Sequence, residues 1–254
     1  MTDDLGQTAR RALAALDLTD LTDDCDGAAI ERLCGRAVTR YGPVAAVCIW
    51  PRFIAQAGPL LAGTGVKIAT VVNFPSGDEP PEIVEADIRA AIADGADEID
   101  LVLPYRALIE GNDGAARAMV ALARATAPGA VLKVILETGE LRDPGRIEHA
   151  SNLAIAEGAD FIKTSTGKVK LNATPEAAHI MLEAIAGSAR PVGLKPAGGI
   201  RTVADAGEYL VLADRIMGPG WATPERFRLG ASGVLDVILA TLDGGAAPKA
   251  GTAY

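Results

Sequence analysis

The chain has 254 residues, a length that suits one large α/β barrel or two small domains. Its formal net charge is −9, whereas a nucleic-acid-binding protein normally presents a basic face, so the composition disfavours that class. No apolar run reaches the ~18 residues that a membrane span needs, and the N-terminal stretch lacks the apolar core of a signal peptide. Three cysteines, Cys25, Cys34 and Cys48, lack metal-ligand spacing and indicate a reducing compartment. We therefore expect a soluble, cytoplasmic protein.

Eight apolar, β-branched runs predict eight strands, and alanine-rich stretches between them predict helices. The predicted strands, in chain order, are 15–19, 44–50, 67–74, 97–104, 131–138, 160–166, 191–199 and 227–232. This number and rhythm are typical of a TIM (β/α)8 barrel, which we predict as a single domain over residues 1–242. A doubly wound open sheet is the structural alternative. Residues 243–254 are rich in Gly, Ala and Pro and are predicted to form a flexible tail.

An internal repeat relates two of the predicted strands. The segments AIADGADEID (91–100) and AIAEGADFIK (154–163) both have the pattern of a helix end, a glycine turn and a strand. The repeat aligns Asp100 with Lys163, and alternate strands of this barrel contribute side chains to one interior layer. Period-two alternation also directs Asp100, Lys163 and Lys195 toward the lumen. We therefore expect an aspartate and two lysines to meet inside the barrel.

The same alternation directs Lys133 and Glu137 inward. A lysine nucleophile must be unprotonated, whereas the reference pKa of lysine is ~10.4. Desolvation and a neighbouring cation both favour the neutral amine, and Lys195 on the adjacent strand would provide that cation for Lys163.

A neutral lysine can attack a carbonyl to form an imine, while Asp100 and a water molecule transfer protons. The alternative is a structural ion-pair cluster that fills the lumen. The small number of evident carboxylates beside these lysines weighs against that alternative.

Two glycine-rich turns follow the last two predicted strands, at 195–201 (KPAGGIR) and 229–233 (LGASG). Such turns expose backbone N–H groups that bind phosphate, and these loops are the usual phosphate position in a TIM barrel. Ser232 would add a hydroxyl group and Arg201 a charge, and the segment 166–168 (TGK) lies nearby. The alternative is that these turns simply end their strands.

Two further residues are predicted near the barrel mouth. Cys48 ends the second predicted strand, and without a histidine base nearby we interpret it as a small wall residue rather than a nucleophile. Asn73, at the end of the third predicted strand, would either orient a substrate or cap a turn.

The sequence resembles the deoxyribose-phosphate aldolases, a family of class I aldolases, over almost the whole chain. The motifs that carry the resemblance are AVCIWPRFI, ATVVNFPSG, GADEIDLVLPYRAL, LKVILETGEL, GADFIKTSTGKV, NATPE and GLKPAGGIRT. The resemblance implies that Lys163 forms the Schiff base and that Asp100 and Lys195 are proton donors and acceptors. It also implies phosphate contacts at Gly167, Lys168, Gly199, Ile200, Arg201, Gly230, Ser232 and Gly233.

The resemblance implies a lyase that reversibly cleaves 2-deoxy-D-ribose 5-phosphate to D-glyceraldehyde 3-phosphate and acetaldehyde. It implies no metal or organic cofactor, because the protonated imine serves as the electron sink. Tyr254 matches a terminal tyrosine that reaches the active site in some members, whereas Ser76 and Gly233 depart from the residues of some relatives. The alternative functions are a lysine-imine aldolase with another donor carbonyl and a phosphosugar-binding barrel without catalysis. A homodimer is the one assembly that we consider.

Overall fold

The structure is a computed structural model that describes residues 2–244. Its strands are β1 (Leu16–Asp20), β2 (Val38–Thr39), β3 (Gly42–Pro43), β4 (Ala46–Ile49), β5 (Lys67–Val72), β6 (Glu98–Val102), β7 (Val131–Ile135), β8 (Phe161–Lys163), β9 (Gly193–Lys195) and β10 (Leu229–Ala231). Its helices are α1 (Thr2–Ala14), α2 (Gly27–Ala37), α3 (Ile54–Leu61), α4 (Pro81–Ala93), α5 (Tyr105–Ile109), α6 (Asp113–Thr126), α7 (Thr138–Leu141), α8 (Pro144–Ala156), α9 (Pro175–Ala186), α10 (Val203–Met217) and α11 (Val234–Leu242). A short 3₁₀ helix spans Pro51–Phe53.

Eight strands form one parallel sheet in the order β10-β1-β4-β5-β6-β7-β8-β9, and β2 and β3 form a separate antiparallel pair. Bridges between Leu194 and Phe227 and between Ala197 and Gly230 join β9 to the β10 segment. These bridges close the sheet, so the predicted TIM barrel is confirmed and the open doubly wound sheet is excluded.

The predicted tail begins directly after the last helix. Helix α11 ends at Leu242, and residues 243 and 244 follow it. The remainder of the tail, residues 245–254, lies outside the described residues. Within residues 2–244, no helix combines the length and the apolar character needed to cross a membrane.

The internal repeat is a structural unit. Gly95 (φ 104°) and Gly158 (φ 110°) adopt left-handed conformations directly after α4 and α8, where glycine has no steric penalty. The aspartate two residues after each glycine then bonds to the neighbouring strand. Asp97 Oδ2 accepts from the amide of Ile68, and Asp160 Oδ2 accepts from the amide of Leu132, both at 2.9 Å. The repeat therefore sets the starting point of β6 and of β8 in the same way.

Side-chain caps begin several of the outer helices. Thr174 Oγ1 accepts from the amide of Ala177 at the start of α9, and Pro175 occupies the first helical position. Thr202 and Asp205 form a reciprocal capping box at the start of α10. These caps fix where the loops after β8 and β9 end and where the next helices begin.

Apart from β1, which ends one residue later than predicted, the strands of the barrel are shorter than predicted at their C-terminal ends. Strand β8 ends at Lys163 rather than at residue 166, although Thr164, Ser165 and Thr166 are all buried. The Thr164 amide donates to the Lys195 carbonyl at 3.1 Å, so the chain still follows its neighbour beyond the strand. The loops at this end of the barrel are packed, and many of their residues are as buried as those of the strands. The predicted strands were too long because they included these loop residues.

Two kinds of interior surround the sheet. The outer core packs strand residues such as Ile99 and Leu101 against the helices. A smaller apolar cluster comprises Leu21, Ala46, Cys48, Ala69 and Val71. The charged residues of the interior lie mainly on β6 to β9, and they form the site described next.

Candidate active site

Lys163 and Lys195 are the last residues of neighbouring strands β8 and β9, and the sheet pairs them directly. Their side chains are 3% and 0% exposed, respectively. Strand alternation turns both ammonium groups toward the lumen, as predicted. Two buried cations so close together require carboxylate partners.

Asp100 of β6 provides the carboxylate that joins these lysines. Its Oδ2 accepts hydrogen bonds from Lys163 Nζ and from Lys195 Nζ, each at 2.8 Å. The sheet pairs Asp100 with Lys133 and Lys133 with Phe161, so Lys163 lies two positions beyond Asp100 along the ladder. This offset is the stagger that a closed, tilted barrel requires, and it brings both side chains into one layer.

A second set of charges lies beneath this pair. Lys133 Nζ donates to Asp100 Oδ1 at 2.8 Å and lies 2.5 Å from Glu98 Oε2. Lys195 Nζ also lies 2.5 Å from Asp17 Oδ2. Arg228 bridges the lower carboxylates, since Nη1 donates to Asp17 Oδ1 at 2.7 Å and Nη2 donates to Glu98 Oε1 at 2.8 Å.

Within the described residues, this lysine–carboxylate cluster therefore has three carboxylates and four cations. The expectation of few carboxylates was wrong, because Asp17 and Glu98 were missed, and the cation Arg228 was missed with them. The signal was present for Glu98, which lies two residues before Asp100 and so shares its inward face. The cluster carries one cation in excess, so loss of the proton of one lysine makes it electrically neutral.

The pKa shifts follow from these contacts. Burial alone would raise the pKa of Asp100, but the ammonium groups of Lys133, Lys163 and Lys195 hold it well below its usual value. Burial opposes the charge of Lys195, yet Asp100 and Asp17 outweigh that effect and hold its pKa well above the usual value. Lys195 is therefore a cation and Asp100 a carboxylate at neutral pH.

A cleft at the C-terminal end of the barrel reaches this cluster, with about 400 Å³ of empty space that is partly open to solvent. Lys163 is the only member of the cluster that lines it. The other lining residues are Thr19, Leu21, Thr166, Gly167, Ala197, Gly198, Gly199, Ile200, Gly230, Ala231 and Ser232. One lysine is thus presented to a cleft whose wall consists of glycine-rich turns.

Several backbone N–H groups of these turns have no acceptor within residues 2–244. Among the described residues, the amides without a hydrogen-bond acceptor include those of Gly167, Gly199, Ile200, Ser232 and Gly233. Unpaired N–H groups on adjacent loops are suited to bind an anion.

The other predicted phosphate residues are arranged differently. The amides of Lys168, Arg201 and Gly230 donate to Thr166 Oγ1, Asp205 Oδ2 and the Pro196 carbonyl, respectively. Lys168 Nζ lies 3.4 Å from Asp23 Oδ1, and Arg201 is exposed and does not line the cleft. These residues would contribute to an anion site through side chains or backbone shape rather than through free N–H groups.

Three further sequence predictions concern the mouth. Cys48 is fully buried in the apolar cluster, and burial raises the pKa of its thiol, which favours the wall residue over the nucleophile. Asn73 Nδ2 donates to the Val102 carbonyl at 2.8 Å and Oδ1 accepts from the Glu79 amide at 2.9 Å, which favours the turn cap. Tyr254 lies outside the described residues.

The inward direction predicted for Glu137 is only partly correct. The chain leaves β7 at Ile135, and Glu137 has a left-handed backbone conformation. Its carboxylate accepts a hydrogen bond from Thr166 Oγ1 and does not join the lysine–carboxylate cluster. Within residues 2–244, no three His, Cys, Asp or Glu side chains form a group suited to a metal ion.

Comparison with known proteins identifies the family. A family model described as DeoC/LacD family aldolase matches residues 11–218. The chain belongs to this family. A deoxyribose-phosphate aldolase of Agrobacterium fabrum (strain C58 / ATCC 33970) is 57% identical over 250 residues, which cover 98% of this chain and 96% of the relative. The aligned length therefore spans nearly the whole chain.

Solved structures of aldolases share the fold. A crystal structure from Toxoplasma gondii ME49, provisionally assigned as a deoxyribose-phosphate aldolase, is 26% identical with a TM-score of 0.87, covering 96% of this chain and 99% of that one. The tetrameric deoxyribose phosphate aldolase of Aeropyrum pernix is 24% identical with a TM-score of 0.75, covering 94% of this chain and 97% of that one. The second comparison supports the fold alone.

Proposed function

We propose that this family member cleaves 2-deoxy-D-ribose 5-phosphate to D-glyceraldehyde 3-phosphate and acetaldehyde, reversibly, through a Schiff base on Lys163. The observation that carries the proposal is the position of Lys163. It is the lysine of the buried cluster that lines the cleft, and the same cleft is bordered by unpaired backbone amides. A carbonyl carbon and a phosphate of one small sugar can therefore occupy the two ends of this cleft.

Catalysis begins when the neutral Nζ of Lys163 attacks C1 of the open-chain sugar. The resulting carbinolamine loses water and becomes a protonated imine, whose nitrogen can accept an electron pair. The positive charge of this imine lies beside Asp100, which already accepts a hydrogen bond from Nζ at 2.8 Å. Asp100 thereby stabilises the cationic intermediate without moving.

The C2–C3 bond then breaks, and its electron pair forms the C1=C2 double bond of an enamine. The C3 hydroxyl group loses its proton and becomes the aldehyde carbonyl of glyceraldehyde 3-phosphate. We assign transfer of this proton to Asp100 and Lys195, with a water molecule as the contact to substrate. Their hydrogen bond of 2.8 Å gives the proton a path away from the cleft.

Protonation of the enamine at C2 returns a proton to the substrate carbon. Addition of water to C1 then releases acetaldehyde and restores the amine of Lys163. Lys195 remains charged throughout the resting state, because Asp100 and Asp17 hold its pKa well above the usual value. The sheet pairs Lys195 directly with Lys163, so this positive charge lies on the strand next to the nucleophile.

For the phosphate, we propose the wall formed by the turns after β8, β9 and β10. The unpaired amides of Gly167, Gly199, Ile200, Ser232 and Gly233 support this assignment. The remaining family positions Lys168, Arg201 and Gly230 would add charge at the rim and a close backbone approach. A Cβ at position 230 would lie 2.7 Å from the Cβ of Ala197, so glycine is required there by space.

A direct assay tests the proposal. The purified protein, in the presence of excess chelator, should release glyceraldehyde 3-phosphate from deoxyribose 5-phosphate. A coupled assay that reduces the triose product measures this release. Saturable binding of the sugar without release of either aldehyde would instead support a non-catalytic phosphosugar-binding barrel. Turnover of another phosphosugar with no release of acetaldehyde would indicate a different donor carbonyl.

We further infer that the enzyme acts in the cytoplasm as one barrel domain over residues 1–242, with a C-terminal tail at 243–254. The three cysteines are free and buried, which suits a reducing compartment. A homodimer is the assembly that we propose, and light scattering of the eluted protein measures it. We also propose that Tyr254 contacts the bound substrate.

A further inference from the structure

The segment Glu137–Gly139, which follows β7, contacts the loop that follows β8. Glu137 is fully buried and has φ 58° and ψ 58°, a left-handed conformation that glutamate rarely adopts. Such a conformation persists only where the surrounding structure holds it in place, and it often marks a functional constraint. The contacts of the Glu137 carboxylate show what this constraint is.

The carboxylate is turned toward Thr166. Thr166 Oγ1 donates to Glu137 Oε2 at 2.5 Å, and the Thr166 amide lies 3.3 Å from Oε1 and 3.4 Å from Oε2. The short hydroxyl contact is a charge-assisted hydrogen bond when Glu137 is ionised. It selects one rotamer of the Thr166 side chain.

The Thr166 hydroxyl group has a second partner within its own loop. Its Oγ1 accepts from the amide of Lys168 at 3.0 Å, so the hydroxyl spans the turn. Gly167 lies between these two residues at φ 85°, and its amide is one of the unpaired N–H groups. Thr166 and Gly167 both line the cleft. The orientation of the Gly167 amide therefore depends on a hydroxyl group that Glu137 holds.

The next two residues contact the same loop. The Thr138 amide donates to the Thr164 carbonyl at 2.9 Å. A Cβ at Gly139 would lie 1.8 Å from the Leu171 carbonyl oxygen, so only glycine allows this approach. Three consecutive residues thus hold the loop after β8 from one side, and Glu137 is the one that reaches the anion-binding turn.

We propose that Glu137 is a positioning residue that gives the enzyme its preference for a phosphorylated sugar. The inference rests on the proposed function and adds a residue that does not itself touch the substrate. Glu137 holds Thr166, Thr166 holds the turn, and the turn presents the Gly167 amide to the phosphate.

Steady-state kinetics on two sugars test the role. Glu137→Ala should raise KM for deoxyribose 5-phosphate about tenfold with little change in kcat, as expected for loss of one charge-assisted hydrogen bond. The same variant should change kcat/KM for unphosphorylated deoxyribose less than about twofold. Glu137→Gln keeps an acceptor for the Thr166 hydroxyl and should restore most of the KM. Glu140→Ala, one residue beyond this segment, is the matched control.

An equal loss for both sugars, or an unchanged KM for the phosphorylated one, overturns the proposal. If Glu137→Ala fails to fold, as judged by circular dichroism, Thr166→Val removes the same hydrogen bond and Thr166→Ser restores it. Binding of inorganic phosphate, followed by phosphorus NMR, separates this inference from the proposed function. Weaker phosphate binding by the variant supports it even if the wild type cleaves no deoxyribose phosphate, and equal binding refutes it.

Discussion

Replacement of Lys195 with methionine separates the two effects assigned to that residue. Methionine fills a similar volume without a charge, so the variant loses both a cation beside Lys163 and a member of the proton relay. Imine formation with acetaldehyde requires the neutral amine of Lys163 but no cleavage of a sugar. Its dependence on pH therefore reports the electrostatic effect separately from the relay.

The structure gives the size of the expected shift. Lys163 Nζ and Lys195 Nζ each lie 2.8 Å from Asp100 Oδ2. Because both Nζ atoms bond to the same oxygen, they are at most about 5.6 Å apart, and two unit charges at about that distance interact by about 3 kcal/mol at an effective dielectric constant of about 20. Each pH unit corresponds to about 1.4 kcal/mol, so the pH midpoint should rise by about 2 units. Loss of Lys195 also leaves Asp100 with one ammonium partner fewer, so its carboxylate stabilises the protonated form of Lys163 more strongly. This second effect raises the midpoint as well.

The assay measures how fast borohydride traps the acetaldehyde adduct as a function of pH. Mass spectrometry of the intact protein counts the adduct, and no turnover is needed. Lys195→Arg is the matched control, because it keeps the positive charge while changing the relay geometry. Circular dichroism checks that each variant retains the barrel.

We expect a higher pH midpoint for Lys195→Met and a nearly unchanged one for Lys195→Arg. A midpoint that stays in place or moves down in Lys195→Met would refute this expectation. In that case Lys195 does not influence the pH midpoint of imine formation at Lys163, and it serves only in proton transfer.

Three further substitutions test other parts of the account. Ser232→Asp places a carboxylate beside the proposed phosphate, where like charges ~4 Å apart interact unfavourably by about 1 to 4 kcal/mol. The KM for deoxyribose 5-phosphate should therefore rise, while the KM for plain deoxyribose should change little. Equal losses for both sugars would show that this loop does not recognise phosphate. Arg228→Met leaves Asp17 and Glu98 short of a buried partner and should lower the free energy of unfolding by about 3 to 5 kcal/mol in chemical denaturation. The exposed pair of Arg36 and Asp236 offers a control, since Arg36→Met should lower the free energy of unfolding by only about 0 to 1 kcal/mol. Equal losses in the two variants would contradict the argument that the buried pairs matter more. Tyr254→Phe should lower kcat/KM for deoxyribose 5-phosphate about tenfold if its hydroxyl group meets the substrate, whereas an unchanged value would remove Tyr254 from the site.

The barrel and its reactive layer could be predicted because both depend on simple periodicities. Alternation along a strand decides which face Asp100 and Lys163 present, and the internal repeat relates their two strands. The glycine turns of the repeat and the aspartates after them adopt matching geometry. The two copies of the repeat have the same local structure because the neighbouring strands and helices constrain both in the same way.

The lower charges of the cluster were missed because their partners are distant in sequence. Arg228 meets Glu98 and Asp17 only after the sheet closes between β9 and β10. Alternation alone could have placed Glu98 in the lumen, but nothing local pairs it with Arg228. The same limit applies to Glu137, whose left-handed backbone redirects a side chain that strand periodicity directs inward.

The sequence predicted that glycine-rich turns lie at the mouth of the barrel, but not which of their amides are unpaired. Glycine-rich turns mark where backbone N–H groups become accessible, yet their sequence does not say which amides remain unpaired. Lys168 and Arg201 lie in the expected turns, but their amides bond to Thr166 and Asp205. Only the folded loops distinguish these amides from that of Gly167.

The central claim is that Lys163 is the covalent residue, and one trapping experiment tests it most directly. The protein is incubated with deoxyribose 5-phosphate, reduced with borohydride, digested and sequenced by mass spectrometry. The account predicts one reduced adduct on Lys163, and it predicts that Lys163→Leu removes both the adduct and almost all turnover. An adduct on Lys195, Lys133 or Lys168 in the wild type, or substantial turnover by Lys163→Leu, would contradict it.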